Sequence, residues 1–242
     1  MLRLNRRRLL ALSALLACAA LPNAAWAQSN ANRPLQISSP WEITSLDPSK
    51  AGYIFTRLEI AETLVEVNNA GQIVPGLAAS WSVSGNQLTW RFKLRPNAKF
   101  HDGSAVTADA AVKSLERALA QPGVLRNAGV KKMSAANNEV VIELAKAFTA
   151  LPAFLAHSST QILASASYNA DGSIKAIMGS GPYRITSVQP PQKVEAERFA
   201  QYDGKQPAIA RISYLAAAGA RRAACWLKVG KPIWCSHMML RR

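Results

Sequence analysis

The sequence predicts a mixed α/β fold, because helical and strand periodicities alternate along the chain. From Tyr53 to Leu64 apolar residues recur at three- or four-residue spacing, which is typical of an amphipathic helix. From Leu88 to Leu94 apolar and polar residues alternate strictly, which is typical of a strand with one buried face. Thr107 is placed to cap a second helix that runs to about Ala120.

Short polar turns connect several predicted strands. Gly85-Asn86 separates Trp81–Val83 from Leu88–Leu94, and Asn137-Asn138 separates Lys132–Ser134 from Glu139–Leu144, so both pairs are predicted to be hairpins. A turn is predicted at Leu46-Asp47-Pro48 and a short helical segment near Leu151 to His157. Four more strands are predicted at Gln36–Ser38, Tyr183–Val188, Lys193–Arg198 and Ile209–Leu215.

Residues 1–27 have the features of a signal peptide. Arginines in the first eight residues precede the apolar stretch Leu9–Leu21, and Ala25-Trp26-Ala27 offers the small residues that a signal peptidase reads. We expect cleavage after Ala27 and a periplasmic protein. Two alternatives stay open: Leu15 to Cys18 resembles a lipobox, which would leave Cys18 lipid-anchored, and the adjacent arginines resemble a twin-arginine signal.

The formal net charge of +15 suggests nucleic-acid binding until the charges are located. Of the 29 Lys and Arg residues, four lie in the signal and six lie after Ala220, whereas all 14 acidic residues lie between Gln28 and Ala220. That central part has a net charge of only about +5. We therefore expect no nucleic-acid partner.

The residues that could carry catalysis have structural explanations. Residues 28–220 contain no cysteine, which excludes a thiolate nucleophile or a cysteine-bound zinc there. His101-Asp102-Gly103 is explained as a turn after a strand, and His157 as a structural histidine on an apolar helix. Gly179-Ser180-Gly181 lacks the Gly-x-Ser-x-Gly spacing of a nucleophile elbow. The sequence predicts a protein that is not an enzyme, without a cofactor or a metal site.

Five ordered segments resemble the extracytoplasmic solute-binding proteins of peptide and nickel ABC importers, solute-binding protein family 5. They correspond to that family's "LDP", "YEPLV", "PxLAxSW", "TWTFKLRxxVKFHDG" and "GTGPY" motifs, and they are Leu46–Pro48, Ile60–Val65, Val74–Trp81, Leu88–Gly103 and Gly179–Tyr183. The resemblance implies a type II periplasmic-binding-protein-like α/β fold in which two lobes close on a ligand. Residues 28–220 are expected to form part of lobe I with its extra subdomain.

The resemblance also implies where ligand binds and what the partners are. In the family the segment after "LDP" lines the cleft between the lobes, which points to Tyr53, Ile54 and Phe55; Trp41 and the stretch Ser158–Gln161 are further candidates. The alternative for Ile54 and Phe55 is packing in the lobe core. The expected partners are a peptide, nickel ion or nickel chelate and an inner-membrane ABC permease, with the protein itself a monomer.

The last 22 residues differ in composition from the rest. Residues 221–242 contain six basic and no acidic residues, and they lack periodicity. Because Trp and Met each have one codon, these residues restrict the bases that encode the tail. Translated in a shifted reading frame, those bases permit an "LAESGKADMVFTHD" segment. The family resembled has a segment of this kind at the same distance after the preceding strand. We expect this tail to be out of frame and the chain to be truncated. The alternatives to a working binding component are a non-functional truncated product and, with less support, a periplasmic hydrolase.

Overall fold

A computed structural model describes residues 33–216 and the backbone of the short strand Trp234–Cys235. The predicted signal peptide and the rest of the predicted out-of-frame tail lie outside the described residues. The helices are α1 Pro48–Arg57, α2 Ala108–Ala120 and α3 Leu151–Leu155. The strands are β1 Leu35–Ser39, β2 Val65–Val67, β3 Ile73–Pro75, β4 Ala78–Val83, β5 Thr89–Leu94, β6 Val130–Ala136, β7 Glu139–Leu144, β8 Tyr183–Gln189, β9 Lys193–Arg198, β10 Arg211–Ala216 and β11 Trp234–Cys235.

These elements form two packed units, each with its own apolar core. The five-stranded unit consists of α1 and a sheet in the order β11-β1-β10-β9-β8, in which β1 runs parallel to both β10 and β11. The four-stranded unit consists of the antiparallel sheet β4-β5-β7-β6, α2, α3 and the small pair β2-β3. The mixed α/β class is as predicted, and none of the helices within the described ranges has the length and hydropathy of a membrane span.

The hairpins form as the local sequence pattern predicts. Val83 pairs with Trp90 across the first hairpin, and Ala136 pairs with Glu139 across the second. Trp90, Phe92 and Leu94 are buried on one face of β5. The cap of α2 is also as predicted, since the Thr107 hydroxyl accepts a hydrogen bond from the Ala110 N–H at 3.2 Å.

Helix α1 differs from its predicted range, Tyr53–Leu64. It starts at the predicted turn, where Asp47 caps it by accepting from the Ser49 N–H at 2.9 Å, and it ends at Arg57. Glu59 then takes a left-handed conformation, with φ at +53°. The carbonyls that could continue a helix instead accept from the other side of the molecule: Glu59 O from the Tyr183 N–H at 3.2 Å and Ile60 O from the Gly181 N–H at 3.1 Å.

Two glycines allow this close backbone contact. A Cβ on Gly179 would lie 2.2 Å from Ile60 O, and a Cβ on Gly181 would lie 2.2 Å from Glu59 O. Any side chain at either position would therefore separate the two backbone segments. The predicted family motif at residues 179–183 thus has a packing function: it joins the start of β8 to the end of α1.

Replacing Gly181 with Ala is expected to lower the free energy of unfolding by about 1–3 kcal/mol or more, because the new methyl group meets backbone that cannot move aside. Urea denaturation of the purified chain measures this loss. Gly85→Ala is the control, since a Cβ there meets no atom within 4 Å. Equal stability of the Gly181 and Gly85 variants would contradict the proposed packing role.

Candidate ligand-binding surface

The carboxyl ends of the parallel strands β1 and β10 lie at the same edge of the five-stranded sheet. Ser39, the last residue of β1, pairs with Ala216, the last residue of β10. The chain leaves β1 through residues 40–47, here called the β1–α1 loop, and then enters α1. Ligands of open α/β sheets bind outside the carboxyl ends of the strands. This edge is therefore where a binding surface is expected.

Trp41 in this loop and Tyr53 on α1 form an aromatic pair at this edge. Their ring centroids are 5.7 Å apart and the rings meet edge to face at 79°. The Trp41 side chain is 56% exposed, and Tyr53 is half-buried. Partial burial raises the pKa of the Tyr53 hydroxyl, an effect that Arg57 opposes, so Tyr53 stays neutral at physiological pH. The pair therefore presents a neutral apolar surface with one hydroxyl.

Ile54 and Phe55 lie on the inner side of α1. They are 2% and 0% exposed and pack in the core of the five-stranded unit. Neither side chain offers surface that a ligand could contact in this arrangement. Their position matches the core-packing alternative of the sequence analysis, so only Tyr53 and Trp41 remain candidates for ligand contact.

The stretch Ser158–Gln161 packs against α1 and turns most of its polar groups inward. Gln161 is buried, and its Nε2 donates to Gly52 O at 2.8 Å and to Thr56 Oγ1 at 2.6 Å. Gly52 is needed for this contact, because a Cβ there would lie 2.4 Å from Ser158 O. His157 caps the short 3-10 helix that follows, since its Nδ1 accepts from the Ser159 N–H at 3.1 Å. His157 thus has a structural role, but it caps a following turn and lies exposed beyond α3, which ends at Leu155, and not on that apolar helix as predicted.

Beside this stretch lies a polar cavity of about 470 Å³, which the sequence analysis did not identify. The start of α1, the second half of α2 and residues from the range 159–174 form its walls. Charges of both signs line it, namely Asp47, Lys50, Arg117 and Asp171. The Arg117 guanidinium stacks on the Tyr168 ring at 4.1 Å from the centroid. Arg117 and Tyr168 are far apart in the sequence, so the local residue pattern around either of them does not predict this contact.

His101-Asp102-Gly103 forms a turn that joins the two units. The Asp102 carboxylate accepts from the Ser104 N–H at 3.0 Å, and Gly103 has φ at +86°. Because a carbonyl can only accept, the His101 Nε2 carries the proton that it donates to Gly181 O at 3.0 Å. The His101 ring also packs edge to face on Phe199 at 5.0 Å. This histidine is therefore a structural contact between the units.

Arg95 makes the second contact between the units. Its guanidinium donates to both carboxylate oxygens of Glu62 at 3.2 and 3.3 Å, to Asp203 at 2.9 Å and to Gly76 O at 3.0 Å. Burial raises the pKa of Glu62 to about 7, and Arg95 opposes that rise. The cluster binds the end of β5 to the loop after β9, and its groups are engaged with one another.

The described ranges contain no group of three or more acidic, histidine or cysteine side chains that could hold a metal ion. The exposed surface at the strand ends is formed by the Trp41 and Tyr53 rings. Apolar and aromatic walls of this kind are typical of small-molecule sites.

Comparison with known proteins agrees with this geometry. Residues 72–229 match the family model described as "Bacterial extracellular solute-binding proteins, family 5 Middle". The chain belongs to this family. Its members are binding components of transport systems and not enzymes.

Individual relatives cover much of the chain. The nickel-binding periplasmic protein of Escherichia coli K12 is 29% identical over 221 residues, which are 84% of this chain and 40% of that protein. The periplasmic murein peptide-binding protein MppA of the same organism is 44% identical over 79 residues, 31% of this chain and 14% of that protein. The nickel ABC transporter structure from Bacillus halodurans superimposes with a TM-score of 0.74 at 27% identity, covering 82% of this chain and 42% of its own. The chain thus spans about two fifths of the two nickel-related proteins and a smaller part of MppA.

Replacing Arg95 with Met is expected to lower the free energy of unfolding by about 3–5 kcal/mol at pH 8, because Glu62 and Asp203 lose their counter-charge. The loss should shrink toward pH 5, where Glu62 takes up a proton and no longer needs the guanidinium. Urea denaturation at both pH values measures it. The control is Arg91→Met, which removes a 3.5 Å ion pair to Glu139 whose arginine is 51% exposed, and which should cost less than about 1 kcal/mol. A pH-independent loss, or one no larger than the control's, would contradict this interpretation.

His101 is expected to make the fold acid-sensitive, since burial lowers its pKa to about 4 from the usual 6.5. Between these values the unfolded chain binds a proton at this histidine and the folded chain does not, so His101 lowers the free energy of unfolding as the pH drops from 6.5 to 4, by about 3 kcal/mol. Glu62, whose pKa is raised to about 7, contributes a slope of the opposite sign that is common to all variants. Thermal unfolding across this range should therefore show a greater loss of stability toward pH 4 in the wild type and in His157→Gln than in His101→Gln. The same pH dependence in all three proteins would rule out a contribution from His101.

Proposed function

We propose that this family member is the substrate-binding component of an ABC importer that takes up peptides, or nickel ion as such or as a chelate. The observation that carries the proposal is the exposed Trp41–Tyr53 pair at the carboxyl edge of the parallel strands in a family 5 fold. A binding wall of this kind needs apolar and aromatic groups with a few polar ones. Trp41 supplies apolar area and Tyr53 supplies a hydroxyl.

The names of the relatives support the two ligand classes. One relative is named for nickel and another for murein peptides, and a third, from Pectobacterium atrosepticum, is named a glutathione-binding protein. A nickel chelate and a short peptide both present amide, amine or ring atoms that can lie on an aromatic face. We propose either class as the ligand, delivered to an inner-membrane permease.

The setting that we propose is the periplasm, with the protein acting as a monomer. The relatives are periplasmic binding proteins, and residues 1–27 have the features of a signal peptide. Lipid attachment through Cys18 is the alternative proposal for how the protein is held. The proposed division at residues 27 and 220 remains a prediction from the sequence.

Calorimetric titration of the purified chain with nickel ion, a nickel–histidine complex, short peptides and glutathione tests the proposal. We expect saturable binding of at least one probe. Saturable binding would also contradict the alternative of a non-functional product. Absence of binding to every probe would contradict the proposed function for this chain.

Replacing Trp41 with Ala is expected to weaken binding of that probe at least tenfold, since a buried aromatic contact at an interface contributes more than about 1.4 kcal/mol. The same titration measures the change. Val67→Ala is the control, because Val67 is another exposed apolar side chain, at 54%, on a different strand pair. Equal affinities of the two variants would remove Trp41 from the binding surface.

A further inference from the structure

The backbone around Trp41 is fixed although its side chain is exposed. The Tyr214 hydroxyl donates to Trp41 O at 2.5 Å. Two residues later the Ile43 N–H donates to Pro191 O at 2.8 Å, and the Ile43 side chain is fully buried. The β1–α1 loop is thus attached to β10 at Trp41 itself and to the β8–β9 turn two residues later. Its indole can project without the loop being free to move.

The indole projects from this fixed backbone next to the Tyr53 ring, so the two rings form one contiguous apolar surface. Exposed apolar area costs roughly 25 cal/mol per Å² relative to burial, and a contiguous exposed apolar surface is typical of an interaction site. The indole ring packs edge to face on Tyr53. Such a surface is preorganised, which means that little conformational freedom is lost when a ligand lies on it.

Tyr214 reaches the backbone of this aromatic pair from the buried side. It pairs with Ile37 on the parallel strand β1, and Ser39, two residues further on, lies on the same face of that strand. The Tyr214 ring is buried in the core of the five-stranded unit, and its hydroxyl passes beyond the end of β1 to reach Trp41. The hydroxyl touches the backbone of the aromatic pair and leaves the exposed face of the indole open.

We propose that Tyr214 is a positioning residue for the ligand surface: its hydroxyl sets the backbone of Trp41, and thereby the orientation in which the indole meets Tyr53 and the ligand. This proposal rests on the proposed function, in that the ligand lies on the Trp41–Tyr53 pair. Removing the hydroxyl should leave the core intact, because the buried ring remains. It should loosen the loop and weaken ligand binding about five- to tenfold.

The chain contains a matched control for this hydroxyl. Tyr183 on β8 is also a buried tyrosine of the same unit, and its hydroxyl donates to a backbone carbonyl, Ile209 O, at 2.9 Å. Tyr183→Phe therefore removes the same kind of bond as Tyr214→Phe, at a place remote from the β1–α1 loop. A general effect of losing a buried tyrosine hydroxyl would appear in both variants.

The first measurement needs no ligand. The full chain is labelled with 5-fluorotryptophan, and the Trp41 fluorine resonance is assigned as the one missing from Trp41→Phe. We expect Tyr214→Phe to shift or broaden this resonance and Tyr183→Phe to leave it unchanged. An unchanged Trp41 resonance in Tyr214→Phe, or an equal change in both variants, would overturn the positioning role.

The second measurement is a double-mutant cycle on the affinity of whichever probe the wild type binds. Tyr214→Phe should weaken binding in the wild type and have no further effect when Trp41 is already Ala, because the hydroxyl acts through Trp41. The same loss in both backgrounds would overturn the proposal. If the wild type binds no probe, the proposed function fails, while the fluorine spectra still decide whether Tyr214 positions Trp41.

Discussion

The contact between residues 179–181 and the end of α1 is the constraint on which the rest of the described chain depends. Gly179 and Gly181 bring two backbone segments within a distance that no side chain would permit. The Gly181 and Tyr183 N–H groups then take the carbonyls that would otherwise extend α1. The contact therefore joins the end of the helix to the start of β8 within the five-stranded unit. His101 extends it to the other unit, since its Nε2 donates to Gly181 O.

The same junction explains why the family is recognisable in so short a piece of sequence. The motif at residues 88–103 contains Arg95, which binds Glu62 and Asp203. It also contains His101, which donates to Gly181 O. The motif at residues 74–81 contains Gly76, where a Cβ would lie 2.7 Å from Thr63 O and whose carbonyl accepts from Arg95. These motifs meet one another in space. Their residue types are required by backbone contact and by buried charge, and both requirements are independent of the ligand.

The sequence predicts local elements better than it predicts the surface they build. The hairpin over β4 and β5 follows from alternation and a Gly-Asn turn, and α2 follows from its Thr107 cap, because both depend on neighbouring residues. The predicted end of α1 is wrong because the helical spacing of apolar residues continues to Leu64, whereas the carbonyls of residues 59 and 60 accept hydrogen bonds from a segment more than a hundred residues away. The spacing of apolar residues carries no information about such a distant hydrogen-bond partner. The same limit left the direction of Ile54 and Phe55 open between cleft and core, since resemblance locates a segment but not the face that it buries.

The candidate ligand surface is separated from this scaffold in both place and chemistry. The scaffold uses glycines, a partly buried arginine cluster and a histidine of lowered pKa, all of which make contacts within the protein. The surface uses two aromatic rings in the β1–α1 loop and on the adjoining helix, held through the backbone by a tyrosine 173 residues later in the chain. Because the loop is attached by its carbonyl and N–H groups, the side chain at position 41 can change without disturbing those bonds. The ligand contact proposed for position 41 is thus physically independent of the contacts that hold the junction together.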